Sequence, residues 1–542
     1  MKLTLPEMLQ ASFRKYSSNK ALMFAGEEAK TYGDLRADVE HLGNQLRAMG
    51  VQKGMKVAIL SANMPNWGVA FFAIGSVGGV VVPILPDFSI TEITNILQHA
   101  EVEMVFVSEA LAFKVDRKEL AQLRVICMED FDEIAPDGKL FDNEPLTDGA
   151  FEYTEVDEED LLSIIYTSGT TGKSKGVMLS HKNIVWTAQQ SLTFQYVDSS
   201  DRFLSVLPLS HTFENTLGLV FPIMYGCSIH YLRKAPTASV LLPALQEVQP
   251  TVMLVVPLII EKVYKGKILP QINSKAITRT LFKIRPFQKI LSRIAGKKLY
   301  QTFGGKLKFF GIGGAKLDDQ VERFLIDAKF PLAIGYGLTE TSPLLAGAVG
   351  KNVRYLSTGV PLQGVKLRIA NADPKTGEGE VQARGNNVMK GYFKEPGLTA
   401  DVFSEDGWFK TGDLGKFDKG SLFIKGRIKN MILGASGENI YPEEIESVIN
   451  RMEYVLESLV VQQKGRLVAM VHLNMEEIEA RFQQAKEEAV LKFNAKVDDI
   501  LVEIQKKVND EVNKFSRIQT VVLQPVPFEK TPTMKIKRFL YL

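Results

Sequence analysis

The 542-residue sequence predicts an α/β fold: a large N-terminal domain of parallel α/β sheets with a small antiparallel β subdomain, then a small α+β domain. Three observations predict it. Over 1–160, and again after 200, apolar runs of strand length alternate with amphipathic segments of helix length, the order that parallel strands covered by helices require. From Gly359 the apolar runs turn short, partly alternating, and separated by Gly, Pro and Asn, which reads as antiparallel strands. Past Gly426 that texture stops and a glycine-rich loop opens a new unit, so the boundary is placed between 1–428 and 429–542.

Length and composition allow this. At about 150 residues per domain the chain has room for two or more. Apolar residues are 45% and charged residues 24%, ordinary for a globular protein. A net charge of +2 excludes a molecule built as a whole for nucleic acid. Cys127 and Cys227 each sit in an apolar run and read as buried free thiols, and the chain as cytoplasmic. The first twenty residues lack a continuous apolar core and do not read as a secretory signal.

In chain order, 6–16 and 34–49 predict amphipathic helices. The longest apolar run, 69–85, carries no charge but holds Gly75, Gly78, Gly79 and Pro83. It is shorter than the ~20 residues of a spanning helix, so it reads as the end of a buried helix, 65–77, followed by a buried strand, 79–84. Strands are predicted at 57–60, 104–107 and 125–128, and a connecting loop over the acidic stretch 130–160. The alternation resumes with strands at 203–207, 228–232, 251–256 and 331–334; 365–369, 379–384 and 421–424 form the antiparallel group. The last unit has a helix from Tyr441, strands at 455–462 and 467–473, and a charged helical span, 475–515.

Between a strand-like run, 161–165, and the apolar 177–181 lies YTSGTTGKSKG, residues 166–176. Three glycines, five Ser or Thr hydroxyls and two lysines cannot pack a core. They can offer backbone N–H groups, hydroxyls and ammonium groups to a phosphate chain. The Walker A pattern is not met, because Thr167 stands where its first glycine belongs. On composition a plain polar turn reads as well. Pro208-Leu209-Ser210-His211-Thr212-Phe213-Glu214 either caps the helix that follows or presents His211 to a site. The stretch 311–315, Gly-Ile-Gly-Gly-Ala, is not a dinucleotide fingerprint, since Lys316 replaces the last glycine. In 335–342 Tyr336 offers a flat face between Gly335 and Gly337, Thr339 a hydroxyl, and Glu340 a hard carboxylate suited to Mg²⁺. Asp413 lies in a glycine-bounded turn that can accept two ribose hydroxyls or be an ordinary Asp turn.

Residues 262–308 contain thirteen Lys or Arg and no Asp or Glu, with Leu281, Phe282, Ile284, Phe287, Ile290, Leu291 and Ile294 among them. This is either a basic amphipathic surface for an anionic membrane or the solvated face of ordinary helices. Pro286 breaks any single helix through it.

YTSGTTGKSKGV resembles the phosphate loop of the acyl-adenylate-forming (AMP-binding) superfamily, which includes acyl-CoA synthetases, luciferases and peptide-synthetase adenylation domains. Further stretches resemble its other motifs in the same order: 208–214, 311–315, 335–341, 407–413, 426–429 and 531–538. Together they cover nearly the whole chain. Many members carry Gly before the catalytic lysine, where this chain has Met534. The Thr-Pro-Thr-Met-Lys setting, HTFE and GENIYPEEIE resemble the long-chain fatty acyl-CoA synthetase branch.

The resemblance implies ATP, Mg²⁺ and CoA as cofactor and co-substrates, a fatty acid as substrate, and a mobile C-terminal domain turning about Lys429. It implies catalytic roles for Lys535, Glu340, Lys175 and His211. Thr167, Ser168, Gly169, Thr170, Thr171, Gly172 and Lys175 would hold the phosphates, and Glu340 with Thr167 the metal. Gly314, Ala315 and Tyr336 would flank adenine, with Gly335, Gly337 and Thr339 beside the nucleotide. Asp413 and Arg427 would hold the ribose, and the loop 434–439 would line the CoA face. Rival readings are an adenylating enzyme that charges a carrier protein or takes another acid, a non-catalytic binder, and a P-loop kinase. No nucleic-acid partner is expected; the cytoplasmic chain would meet an anionic membrane peripherally if the basic stretch serves one.

Overall fold

The structure, a computed structural model, describes residues 2–134, 140–141, 150–168, 174–434, 439–482, 489–531 and 535–542. Within the described residues, two nine-stranded sheets form the large part of the molecule. One is built on four parallel strands, Lys56–Leu60, Val80–Pro83, Met104–Val107 and Arg124–Cys127. To these is joined a hairpin of β1 (Leu161–Ser168) and β2 (Ser174–Ser180), with β1 parallel to Val80–Pro83 and antiparallel to β2. The apolar run 69–85 resolves as expected into the helix Pro65–Ser76 and the strand Val80–Pro83. That helix is apolar all round because it is buried all round, with Trp67, Phe71 and Phe72 fully enclosed. Phe72→Ala would cost about 3–5 kcal/mol there.

The other large sheet is built on Arg202–Leu204, Ser228–Tyr231, Val252–Val255, Phe309–Ile312 and β3 (Leu332–Gly337), all parallel. Helices cover both sheets, the α/β architecture expected. Leu344–Val349 then doubles back antiparallel to β3. The antiparallel subdomain has four strands, in the order Lys366–Ala370, Gly379–Arg384, β4 (Phe409–Asp418) and β5 (Ser421–Arg427).

Residues 440–518 contribute an apolar core of their own, under a three-stranded sheet of Val455–Gln463, Arg466–Leu473 and Thr520–Leu523. Polar contacts join it to the larger part: Lys425 Nζ to Glu444 at 3.0 Å, and the Tyr441 hydroxyl donating to Glu378 at 3.0 Å.

Two sequence readings change. The stretch 130–160 is not all loop, since Glu133–Ile134 and Leu140–Phe141 extend the sheet of Arg124–Cys127 as short antiparallel strands. Two-residue strands have no period to betray them; 135–139 and 142–149 lie outside the described residues. The helical span 475–515 contains two helices, Met475–Phe482 and Ala489–Glu511, around 483–488, which lie outside them too. Cys127 and Cys227 are buried free thiols. Among the described residues no helix is long and apolar enough to cross a membrane.

Candidate functional site

The parallel strands Phe309–Ile312 and β3 end side by side, and chemistry gathers at such carboxyl ends in open α/β sheets. Gly314 follows the first strand with φ +84°, a left-handed turn that a side chain would strain; Ala315 comes next. At the end of β3 a Cβ on Gly337 would sit 1.7 Å from the Pro343 carbonyl oxygen, so only glycine lets the chain fold back there. Between Gly335 and Gly337, the Tyr336 hydroxyl donates to Asp413 Oδ2 at 2.7 Å.

Asp413 lies on β4 directly opposite Arg427 on β5, and Arg427 Nε meets Asp413 Oδ1 at 2.8 Å. Burial pushes the Asp413 carboxyl up, while the Arg427 guanidinium, the Tyr336 hydroxyl and the Lys535 ammonium pull it back. Each of its two oxygens has one donor and a lone pair left to accept a further hydrogen bond.

Thr339 and Glu340 share a single 3₁₀ turn after β3. Glu340 Oε1 accepts from the Tyr392 hydroxyl at 2.9 Å, and its backbone carbonyl accepts from Met389 N at 2.9 Å. The segment 389–393 is itself laid along β2: Lys390 N donates to Met178 O at 2.9 Å and Phe393 N to Gly176 O at 2.8 Å. Tyr392 therefore faces two ways. Its hydroxyl holds Glu340, and its ring lies 5.1 Å from Lys175 Nζ. Thr167 pairs with Lys175 across the hairpin, which brings the ends of the phosphate-loop stretch beside the Glu340 carboxylate.

His211 is positioned by Asn63, whose amide donates to Ser205 Oγ at 3.0 Å and to the Leu207 carbonyl at 2.6 Å, and accepts from Leu209 N at 2.8 Å. The helix-cap reading of His211 is what the geometry shows, since Phe213 N donates to His211 Nδ1 at 3.2 Å. Nδ1 then bears the lone pair and Nε2 the proton. Desolvation, and the charge of Lys535, depress the ring's pKa to about 4, so it is neutral at physiological pH. Below it, a π-helical turn begins at Asn215, an irregularity frequent at functional sites. Glu214 is buried there with Oε2 unpartnered in the protein, and burial, partly offset by Ser205, pushes its carboxyl up to about 8.

Lys535 follows Thr531 in a tight hairpin: Thr531 N donates to Lys535 O at 2.7 Å and Lys537 N to Glu529 O at 2.8 Å. Met534 lies outside the described residues. Lys535 is flanked closely enough that desolvation and Arg427 lower its pKa, opposed by Asp413 and Glu340. Its own solvent exposure fits a cleft position, walled by protein yet open to water.

A narrow apolar slot of about 60 Å³ abuts this polar group. Phe213, Ile312, Ile334 and Gly335, neighbours of His211, Gly314 and Tyr336, line it together with Phe203, Leu217, Phe221, Val252, Leu254 and Phe309. Its polar lining residues are Ser191 and Gln195, with no ionisable side chain.

Lys175, His211, Tyr336, Glu340, Asp413, Arg427 and Lys535 thus share one region. Lys429 does not join it; it is exposed in the turn Ile428–Asn430, immediately after Arg427. Gly169, Thr170, Thr171 and Gly172 lie outside the described residues, as do 435–438 of the loop expected at the CoA face; Ser168 ends β1. Tyr392 and Glu214 were not singled out for these positions by sequence. Tyr392 had no signal beyond a Gly-Tyr-Phe triplet. Among the described residues no three His, Cys, Asp or Glu side chains cluster as a metal cage. A single carboxylate, Glu340, suits Mg²⁺ that brings phosphate oxygens and water as its other ligands.

Comparison with known proteins matches residues 9–393 to a family model described as AMP-binding enzyme. Long chain acyl-CoA synthetase 2 of Arabidopsis thaliana is 30% identical over 587 residues, covering 94% of this chain and 84% of that protein. The chloroplastic long-chain fatty acid–acyl carrier protein ligase AEE15 of the same plant is 26% identical over 98% of this chain and 84% of its own. Among solved structures, an ATP-bound RpMatB-BxBclM chimera superposes with a TM-score of 0.77 at 25% identity, over 100% of this chain and 98% of that one. The o-succinylbenzoate CoA synthetase of Bacillus subtilis, in complex with ATP and magnesium, superposes at 0.75 and 21% identity, over 98% of each chain, a likeness of fold.

Proposed function

The chain belongs to the AMP-binding enzyme family, and on that premise we propose that it activates a long-chain fatty acid as its acyl-adenylate and passes the acyl group to CoA. The observation that carries the substrate class is the slot. An aliphatic tail needs only apolar walls, whereas a dicarboxylic acid would need a cation to meet its second charge, and no ionisable side chain lines the slot. The likeness to a long-chain acyl-CoA synthetase supports the same class.

In this reading the acid's carboxylate oxygen bonds to the α-phosphorus of ATP as the bond to pyrophosphate breaks. The CoA sulfur then bonds to the acyl carbon, AMP leaves, and the thiol proton passes to water. Neither step asks the protein for covalent chemistry, so positioning and charge neutralisation must supply the rate. Asp413 would accept the ribose hydroxyls, with Arg427 fixing its orientation. Tyr336 would stack its face against adenine beside Gly314 and Ala315. Thr167 and Lys175, with the loop they close, would cradle the phosphates. Glu340, with Thr167, would hold Mg²⁺, which when bound offsets the charge of the phosphates. Lys535 would meet the negative charge shared between carboxylate and α-phosphate during adenylation. His211, neutral with its proton on Nε2, would donate at the mouth of the slot without adding charge. Residues 429–542, pivoting at Lys429, would then withdraw Lys535 and admit CoA along the 434–439 loop.

A second reading keeps adenylation but gives the acyl group to the thiol of an acyl carrier protein, as the likeness to AEE15 favours. Supplying palmitate and ATP with either CoA or acyl carrier protein separates the two. Thioester on CoA with AMP as co-product is the expected outcome. Thioester on the carrier protein alone would select the second reading, and ADP as product would overturn both.

A further inference from the structure

We infer that α1 (Arg285–Thr302), with the helix Ala276–Phe282 before it, is a docking surface for an anionic lipid bilayer. The helix α1 is apolar on two opposite sides. Ser292, Gly296 and Leu299 are its buried side, and Gly296 lies so close to Ala328 that a Cβ there would come within 2.4 Å of it. A helix on a protein surface needs one such side. Yet Phe287, Ile290 and Ile294, at spacings of three and four, stand 44%, 51% and 65% exposed away from it. Ile277 and Ile284 are exposed as well. Pro286 does not kink this surface, since it sits in the first turn of α1, where its missing N–H costs nothing.

The charge around the stripe identifies the occupant. Residues 262–308 hold thirteen of the chain's 65 Lys and Arg and none of its 63 Asp and Glu, so the rest of the chain has 52 basic residues against 63 acidic. The molecule is near neutral only because a basic surface is balanced by an acidic remainder. Lys289, Arg293 and Lys297 are exposed at intervals of four beside the apolar stripe. The Arg285 guanidinium is held apart from them by buried Asp327, at 2.8 Å. A nucleic acid would satisfy these cations and leave Phe287, Ile290 and Ile294 in water. A bilayer with anionic headgroups satisfies both, the cations at the headgroups and the apolar stripe at the acyl boundary. The helix then lies on the membrane.

The test is co-sedimentation of the full chain with vesicles of phosphatidylglycerol mixed into phosphatidylcholine, and of phosphatidylcholine alone, at low and high salt. Binding to the anionic vesicles that weakens with salt is expected. Replacing Lys289, Arg293 and Lys297 together by Gln should weaken it about a hundredfold, at about fivefold per lost charge. Replacing Phe287, Ile290 and Ile294 together by Gln should weaken it at both salt concentrations. The thermal unfolding midpoint of both variants should match the parent, since every changed side chain is exposed; a variant that unfolds early is replaced by its three single substitutions. Equal binding to neutral vesicles, binding to neither, or variants that bind like the parent would overturn the inference. So would retention by an oligonucleotide that the apolar substitutions leave unchanged, with no vesicle binding.

Discussion

Removing one oxygen atom at Tyr392 tests how Glu340, the carboxylate proposed to hold Mg²⁺, is oriented. Tyr392→Phe deletes the hydroxyl that donates to Glu340 at 2.9 Å but keeps the ring 5.1 Å from the Lys175 ammonium. A hydrogen bond to a charged group contributes about 1.5–3 kcal/mol, so Glu340 should lose its fixed orientation by roughly that amount. At 1.4 kcal/mol per factor of ten, the Mg²⁺ concentration for half-maximal pyrophosphate release should rise roughly ten- to a hundredfold. The KM for the fatty acid should not move, because Tyr392 does not line the slot. Tyr392→Leu should show the same Mg²⁺ effect and also a raised KM for ATP, from a lost cation–π contact of about 0.5–2 kcal/mol. Pyrophosphate release against Mg²⁺ at several ATP concentrations reads both. A Tyr392→Phe enzyme with the parent's Mg²⁺ response would refute the reasoning and make the tyrosine a packing residue.

Glu214 should make folding stability depend on pH. Its folded pKa of about 8 lies above the ordinary 4.5, so the folded chain keeps a proton that the unfolded chain loses between those values. Stability therefore falls as pH rises through that window and flattens above it, by roughly 4–5 kcal/mol in all. Denaturant unfolding of Glu214→Gln should lack that loss, and parallel curves for variant and parent would contradict it. Lys535→Ala should cut acyl-adenylate formation by roughly 10²–10³ yet spare thioester formation from supplied acyl-adenylate. Lys429→Pro, which fixes φ at the proposed pivot, should do the reverse; equal damage to both half-reactions by both variants would sink the two-arrangement mechanism. Asp413→Asn should lower kcat/KM for ATP roughly ten- to a hundredfold by loosening Arg427 and Tyr336, as initial rates against ATP would show, and an unchanged value would remove Asp413 from the nucleotide site.

Local pattern made part of this fold legible. The strand Met104–Val107 was readable to the residue, and the run 69–85 divided into helix and strand where its glycines stand, because apolar period and turn chemistry are local properties. Leu344–Val349 escaped, since its small residues and glycine carry no strand preference and only pairing with β3 makes it a strand. The site divides the same way. Motif chemistry marked Tyr336, Glu340 and Asp413, but the Tyr392–Glu340 bond spans 52 positions and depends on how 389–393 lies along β2. In sequence Glu214 reads with His211 as part of a helix-capping stretch; its enclosure beneath His211 is a property of tertiary packing. The basic stretch was visible as composition, while the outward stripe of Phe287, Ile290 and Ile294 needed the phase of α1.

The central claim is that the apolar slot selects an aliphatic chain beside an adenylating site. The most direct measurement is AMP release with ATP and CoA across saturated acids from acetate to stearate. Each buried methylene offers about 0.8 kcal/mol, so kcat/KM should climb up to roughly fourfold per added CH₂ until the slot is filled. A maximum at acetate, a flat profile, or a preference for benzoate or malonate over every fatty acid would contradict the account.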